Sequence, residues 1–566
     1  MNGAQANTAY TDFYAGFYNS AGIREAICAD SADGVAWDDQ FDVLVIGFGG
    51  AGVAAAIEAA DNGASVAAID RFEGGGATAT SGSVFYAGGG TDLQRQNNVN
   101  DTPATMEAYL KDEVGDVVRP ETLHAFCQNS VANFDWAKQN GVRFGGKALP
   151  TKTTYPPHGY GLYFSGNESV KSSLSRAPAA QRGHVAAGIS RFSAFGPAFY
   201  GPQKKAALKK GVRLLKQSRV TRLVCDKDKR VIGVELMEVR SGWHALKHRL
   251  LNRLIVKAHM FSADFADKQR KKIVAIEATH VRRRLIRAKQ GVVISAGGFI
   301  FNRHMIEQLT PNFRRAFRLG TTGDDGSGIL LGASVGGRLD RMGHASAWRF
   351  INPPASWPKA IVINRQGDRY VNEACYGATI GAPMFEQHDG QAILIMDDKL
   401  FQKSRTEVTT KTARPVTILQ TKAAFMTAHK EAPTLADLAK RIKADPDTLQ
   451  ATVDQYNQIA AGTIDDPFGK DQSECLPIGD GPYHAIDMSA GRGGVTPCIT
   501  LGGLVVDEQT GVVQDHDGTP IAGLYAAGRS AVGIASNTYL SGLSLADGLF
   551  SGRRAGHHAA TGNNLF

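Results

Sequence analysis

Three glycines in the order GxGxxG, Gly47, Gly49 and Gly52, followed by an acid at Asp70, are the residues whose types and spacing most directly imply chemistry. The first two lack a Cβ where a chain must turn sharply and come close to a pyrophosphate. The third lets a helix pack tightly on a strand. The helix that follows Gly50, Ala51 and Gly52 aims its positive end at the phosphate charge. Asp70 stands 18 residues after the last glycine, where it can bond a ribose hydroxyl. The chemistry implied is dinucleotide binding.

The flanking segments have the character this motif needs. Phe41 to Ile46 (FDVLVI) is a near-continuous apolar run, as in a parallel strand buried on both faces. Val53 to Asn62 predicts a helix, and Ala64 to Ile69 a second strand ending at Asp70. Farther on, Val212 to Val224 and Val231 to Val239 read as paired strands. Gly291 to Ala296 (GVVISA) reads as a strand ending in Gly297 and Gly298. Gly523 to Gly528 is a strand-to-glycine element, and Ser541 to Gly548 reads as a helix start. The nucleotide domain therefore draws on both ends of the chain. The expected fold class is α/β: a discontinuous Rossmann-like nucleotide-binding domain with an inserted α+β cap. The expected division is 1–40 as an N-terminal extension with short helical pieces, 41–302 with 488–566 as the nucleotide-binding domain, and 303–487 as the inserted cap. Thr434 to Ile442 and Asp447 to Ala461 are helices of that cap. A cleft between the two parts suits a flavin ring and a substrate.

Composition sets the outer bounds. The 566 residues are 43% apolar and 21% charged, which excludes a disordered chain. Glycine is frequent but clustered and without a three-residue period, which excludes collagen. The six cysteines are widely spaced with no CxxC pair, so neither a disulfide framework nor a metal site is expected, and a reducing cytoplasm fits. Met1 to Gly22 has no basic and apolar blocks of a signal peptide, and no apolar run of about 18 residues predicts a membrane span.

The net charge of +9 is local: residues 240–290 hold 14 Lys and Arg against 3 Asp and Glu, a balance of +11, which leaves −2 for the rest. Within this segment Trp243, Leu246, Leu250, Leu254, Ala258 and Phe261 recur at helical spacing, flanked by Lys247, Arg249, Arg253 and Lys257. Lys271, Lys272, Arg282, Arg283 and Arg284 follow. One reading is a surface helix whose stripe packs on its own domain. The favoured reading is a basic amphipathic insert, 243–280, that rests on an anionic membrane surface. Nucleic acid is not expected, since a charge cluster without a recognised fold is a weak sign.

The stretches VLVIGFGGAGVAAAIEAA, GVVISAGGF, TLGGL, GLYAAGR and LADGLFSGRRAG resemble the fumarate reductase/3-ketosteroid dehydrogenase family of FAD flavoproteins over about 41–557. The resemblance implies FAD as cofactor and adds Arg71, Ser81, Gly82, Val220, Ala296, Gly297, Gly528, Ser544 and Leu545 to its contacts. Fumarate reductases carry a His-Thr-Met-Gly-Gly stretch where this chain has Ile499-Thr500-Leu501-Gly502-Gly503. Tyr539 stands where they hold a substrate-binding arginine. Both departures argue against a dicarboxylate, which needs cations. The chain is more similar to the 3-ketosteroid Δ4-(5α)-dehydrogenases, on Gly161 to Gly166 with Arg182-Gly183-His184, on Arg369 to Tyr376, and on Tyr539-Leu540-Ser541-Gly542. The likeness implies Tyr376, Tyr539 and Ser541 as catalytic and Tyr163 and Gly542 as substrate-binding. Δ1-dehydrogenases carry a glycine four residues after the tyrosine, where this chain has Leu543. The segment of about 243–280 is extra relative to the soluble Δ4 enzymes that the chain resembles.

The reaction so implied removes the acidic C4 hydrogen of a 3-ketosteroid as a proton and the C5 hydrogen as hydride to flavin N5, giving a Δ4-3-ketosteroid. The alternatives are a Δ1-dehydrogenase or a flavin-dependent ene-reductase of another unsaturated substrate. Free tyrosine has a pKa of about 10, so Tyr539 or Tyr376 serves as base only with a lowered pKa or a relay through Ser541. Amides just after Ser541 are expected to hold the C3 oxygen as enolate charge develops. Glu168 and His184 are expected to be structural. With no second NAD(P), haem or iron–sulfur motif, an external quinone-like acceptor is expected, and the location expected is cytoplasmic, peripheral on the inner face of the membrane.

Overall fold

The computed structural model describes residues 12–187, 196–409 and 412–566. Its main sheet has nine strands. Six of the labelled strands run through β1 (Asp39–Ile46), β2 (Val66–Ile69), β3 (Arg213–Leu215), β4 (Ser218–Cys225), β5 (Val231–Val239) and β6 (Val281–Ile294). In space the order is Ile27–Cys28, β4, β5, β6, β1, β2, β3. From the far end of the sequence, β8 (Pro520–Ala526) pairs with β6, and β7 (Val512–Gln514) pairs antiparallel with β8.

β6 is the hinge of this arrangement. Val281 to Arg287 run antiparallel to β5, whereas Val292 to Ile294 lie parallel between β1 and β8. Val43, Leu44 and Val45 are fully buried, as a central parallel strand requires. The arginines Arg282, Arg283 and Arg284, read from sequence as part of a basic patch, sit on the antiparallel half. There they pair with Glu238, Glu235 and Asp39, so their charge is spent across the sheet.

α1 (Gly50–Asp61) follows β1, and α4 (Leu543–Thr561) crosses it. A Cβ on Gly552 would lie 2.3 Å from the Ala51 carbonyl oxygen, and one on Gly556 2.2 Å from that of Ala55. Glycine at these positions is what allows the two backbones to meet.

The region between carries a four-stranded sheet of Ile361–Ile363, Ile393–Asp397, Tyr483–Asp487 and His429–Ala432. Leu435–Ile442 and Pro446–Ala461 pack over it, close to the expected helices. The segment from 303 onward is not cleanly separate. Phe317–Arg318 and Ala345–Ala347 pair with Pro497–Thr500, and Leu339–Asp340 pairs with Gly503–Leu504. The described part of the N-terminal stretch is likewise built into the body. Tyr14, Phe17, Ala21 and Ile23 belong to the main core, and Ile27–Cys28 extends the large sheet. Residues 1–11 of the expected extension lie outside the described residues.

The basic insert is two helices, α2 (Trp243–Ala258) and α3 (Ala263–Thr279), placed between β5 and β6. Val239 and Val281 pair directly, so the helices form an excursion from a closed strand hairpin. Their orientation differs from the reading in which the apolar stripe packs inward. Trp243, Leu246, Leu250 and Leu254 are exposed and Phe261 is 90% exposed, while His248 and Ile255 are buried. No described helix is long and apolar enough to cross a membrane. The six cysteines are unpaired.

Candidate active site

A cavity of about 650 Å³ runs along the ends of the parallel strands, from Phe72 and Arg219 past Gly47 to Gly50 and on to Tyr539, Ser541 and Gly542. Gly47 sits at φ +89°, a conformation that glycine adopts without strain, and a Cβ on Gly52 would fall 2.0 Å from the Gly47 carbonyl oxygen. The turn is thus a cradle that side chains would fill, opening on the first turn of α1. Thr78 seals it by accepting a hydrogen bond at 3.0 Å from the Gly50 amide.

Gly47, Gly49, Gly50, Ala51, Asp70, Arg71, Ser81, Gly82, Val220, Ala296, Gly297, Gly528, Ser544 and Leu545 all line this cavity. Gly52 does not line it and serves the helix–strand contact behind it. Asp70 makes contacts that its spacing did not announce. Its carboxylate accepts from the amides of Phe48 (3.0 Å), Phe72 (2.8 Å) and Gly74 (3.0 Å), fixing both loops at the cavity mouth. Arg71 is committed to ion pairs with Glu277 and Asp325, both at 2.8 Å.

At the other end the walls turn aromatic. Tyr539 stacks on Trp348 with centroids 3.8 Å apart and planes 8° apart, and Phe350, Tyr155 and Ile499 continue the lining. No motif announced Trp348, Phe350 or Tyr155, and only the fold brings them here. Tyr539, Ser541 and Gly542 line the cavity, whereas Tyr163 and Tyr376 stand behind it. The Tyr163 hydroxyl donates to Ser541 Oγ at 2.8 Å. Tyr376 lies 6.3 Å from Tyr539 between ring centroids, and its buried hydroxyl has no hydrogen-bond partner among the described residues.

Burial raises the pKa of all three tyrosines. Tyr163 and Tyr376 are pushed well above the ordinary value. Tyr539 is pushed up to about 12, with Ser541 holding it down. A base with a lowered pKa is therefore absent among these three. Gly542 (φ +90°) caps α4, and a Cβ there would lie 2.7 Å from the Tyr86 nitrogen. The amides of Gly542 and Ser544 donate to no group among the described residues, so they are free for a ligand. Leu543 is the buried first residue of α4.

Tyr376 is presented by a loop braced from beneath. Arg369 binds Glu373 and Asp466, each through contacts of 2.8 and 2.9 Å, and Lys470 Nζ reaches Glu373 at 3.0 Å. His184 is buried and held on both ring nitrogens. Nδ1 faces the Arg182 carbonyl and Nε2 the Thr91 hydroxyl, and burial lowers its pKa to about 4. Buried Glu168 accepts from the Gly166 amide at 2.7 Å. Away from the cavity, His429, Glu431 and His484 bring ligand atoms within 4.8 Å of one another.

Residues 42–545 match the FAD binding domain family model. The chain belongs to this family. It binds FAD, and the glycine cradle, the α1 N-terminus and the long cavity fit that group. A 3-oxo-5-alpha-steroid 4-dehydrogenase of Comamonas testosteroni is 38% identical over 530 residues, covering 89% of this chain and 96% of the relative. A 3-oxosteroid 1-dehydrogenase of Mycobacterium tuberculosis is 26% identical over 88% of this chain and 94% of its own length. Among solved structures, a 3-ketosteroid-delta4-(5alpha)-dehydrogenase of Rhodococcus jostii, in complex with 4-androstene-3,17-dione, superposes with a TM-score of 0.79 at 31% identity. That match covers 95% of this chain and all of the other. The chain is thus a flavin-dependent oxidoreductase of the 3-ketosteroid dehydrogenase branch of the family.

Proposed function

We propose that this protein dehydrogenates a 3-ketosteroid between C4 and C5. The observation that carries the reading is the Tyr539–Ser541 pair in an aromatic pocket at the far end of the dinucleotide cavity. It stands together with the likeness to Δ4 enzymes across nearly the whole chain. FAD, when bound, supplies the acceptor for the C5 hydride. The chain supplies the rest. Trp348, Phe350 and Tyr155 offer an apolar wall that excludes water from a rigid hydrocarbon skeleton. The free amides of Gly542 and Ser544 hold the C3 oxygen, so negative charge there is stabilised and the C4 hydrogen is acidified.

Tyr539 takes the C4 proton. With a pKa of about 12 it is protonated at neutral pH, so it passes its own phenolic proton to Ser541 as it accepts the new one. Ser541 releases its own proton as it takes this one, and the proton leaves through the Tyr376 hydroxyl toward solvent, so that each hydroxyl ends neutral, with Tyr163 fixing the serine oxygen. In this reading 41–302 and 488–566 carry FAD, and 303–487 supplies the Tyr376 side of the relay. Incubation with a saturated 3-keto-5α-steroid and an artificial acceptor, followed by product identification, tests it. A Δ4-3-ketone is expected, and a Δ1 product would overturn it.

The electrons leave to an external, quinone-like acceptor, and the outer face of α2 rests on an anionic bilayer. Supporting the bilayer contact are the exposed Trp243, Leu246, Leu250 and Leu254 of α2, Phe261 just beyond it, and the exposed Lys247, Lys271 and Lys272, which make no ion pair among the described residues. An apolar ridge rimmed by cations matches a lipid boundary with negative head groups. Burying one phenylalanine stabilises by about 1.5–3 kcal/mol, so Phe261→Ser weakens binding to phosphatidylglycerol vesicles by about tenfold or more. Co-sedimentation checks this, and equal binding of the variant and the wild type would contradict it.

A further inference from the structure

The inner face of the α2–α3 hairpin does something that its outer face does not suggest. Asn252, Arg253, Val256 and Lys257 of α2 line the flavin cavity, at the end occupied by Phe72, Arg219 and Val220. The cradle at Gly47 to Gly50 fixes where the pyrophosphate sits, and Tyr539 with Ser541 marks the opposite end of the cavity. The end beyond Asp70 is therefore the adenosine end.

We infer that the hairpin is the outer wall of the adenosine pocket, so that an excursion from the β5–β6 hairpin controls how tightly FAD is held. Phe72 packs against Ile255 and Leu251, and Val256 lies beside them on the cavity wall. The buried Oδ1 of Asn252 has no partner among the described residues and is an acceptor open to an amino group such as that of adenine.

The wall is latched to the body by polar groups. Glu277 of α3 binds Arg71 at 2.8 Å and Arg219 at 3.4 Å, and Asp325 completes the set with 2.8 Å contacts to both arginines. His248 of α2 bonds Glu277 through Nε2 at 3.1 Å and receives Gln217 on Nδ1 at 3.0 Å, with its ring stacked on Phe72. Arg249 and Arg253 add pairs to Glu73 at 2.8 and 3.0 Å. All four members of the Glu277 cluster are at most 16% exposed in their side chains, so solvent screens them little. Arg71 and Arg219 are themselves cavity-lining residues, which joins the latch to the pocket.

The inference rests on FAD as the cofactor. It is tested on apoprotein by comparing FAD with FMN, which lacks the adenosine half. Flavin fluorescence quenching gives both affinities. The wild type is expected to favour FAD strongly over FMN. Replacing 241–279 by a two-residue turn between the paired β5 and β6 is expected to weaken FAD by about 100-fold while leaving FMN within about threefold. Point substitutions test the same claim in a chain that keeps the hairpin. Val256→Asp is expected to weaken FAD about tenfold or more and Asn252→Ala about fivefold, again with FMN unchanged. Val274→Ser, on the exposed side of α3, serves as the control with no change in either. Equal loss of FAD and FMN would mean a general structural role and would overturn the inference, as would wild-type FAD affinity in the two inner-face variants. A wild type that bound no FAD would remove the cofactor reading itself, an outcome distinct from either.

Discussion

Tyr539→Phe lowers kcat by about 10²–10⁴-fold, the range removed with a positioned acid–base group, and leaves flavin binding intact. The phenylalanine ring keeps the stacking on Trp348, so the wall of the pocket persists and KM moves far less than kcat. What is lost is the hydroxyl that receives the C4 proton and its link to Ser541. Ser541→Ala is expected to act on the same step. It strands the Tyr163 hydroxyl, which now donates to Ser541 at 2.8 Å, and removes the neighbour that holds the Tyr539 pKa down to about 12. Since both residues serve one relay, the double variant should be little worse than Tyr539→Phe alone. Single-turnover reduction of the flavin by steroid, followed at its visible band, reads the step directly. A loss below tenfold for Tyr539→Phe would remove that residue from the proton path.

Glu373→Ala costs about 3–5 kcal/mol of stability, because it leaves buried cations without their counter-charge. Arg369, Glu373, Asp466 and Lys470 are at most 5% exposed in their side chains, and Lys470 also donates to the Ala360 carbonyl and the Tyr456 hydroxyl. The neighbouring Lys470 and Arg369 lower the Glu373 pKa against the burial that raises it. A carboxylate depressed in the folded state contributes stability that is fully present above its unfolded pKa of about 4.3 and is lost as pH falls through the folded value. The gap between wild type and Glu373→Gln should therefore be full at pH 7 and narrow only below about pH 4. Denaturant unfolding at both pH values checks this. Because Arg369 and Glu373 brace the loop that ends at Tyr376, residual folded Glu373→Ala should also turn over slowly. A variant as stable as the wild type would show that the quartet is not what holds that loop.

The parts legible in the sequence are those whose physics is local. The GxGxxG turn, its strand and its helix are one contiguous unit, and its apolar run and glycines could be read without knowing what lay around them. The strand ends at Gly297 and Gly528 were legible for the same reason. Asp70 was located correctly, yet its hold on the amides of Phe48, Phe72 and Gly74 depends on loop geometry that spacing does not encode. The basic segment shows the limit most plainly. Arg282 to Arg284 read as surface charge because their partners, Glu235, Glu238 and Asp39, lie on neighbouring strands of the sheet. The periodic stripe of α2 was real, but amphipathicity alone does not say which face turns inward. Here the buried face is the one with His248, held by Glu277 and Gln217, and the apolar row faces out. Trp348 and Phe350 carried no pattern at all, and they reach the site only because the chain returns to it from a distant segment.

The most direct test of the central claim is an anaerobic titration of the purified holoprotein with a saturated 3-keto-5α-steroid, recording the visible flavin spectrum and identifying the product. Bleaching of the oxidised band with stoichiometric formation of the Δ4-3-ketone is the predicted result. A flavin that stays oxidised with every 3-ketosteroid offered, or that bleaches while forming a Δ1 product, would contradict the account.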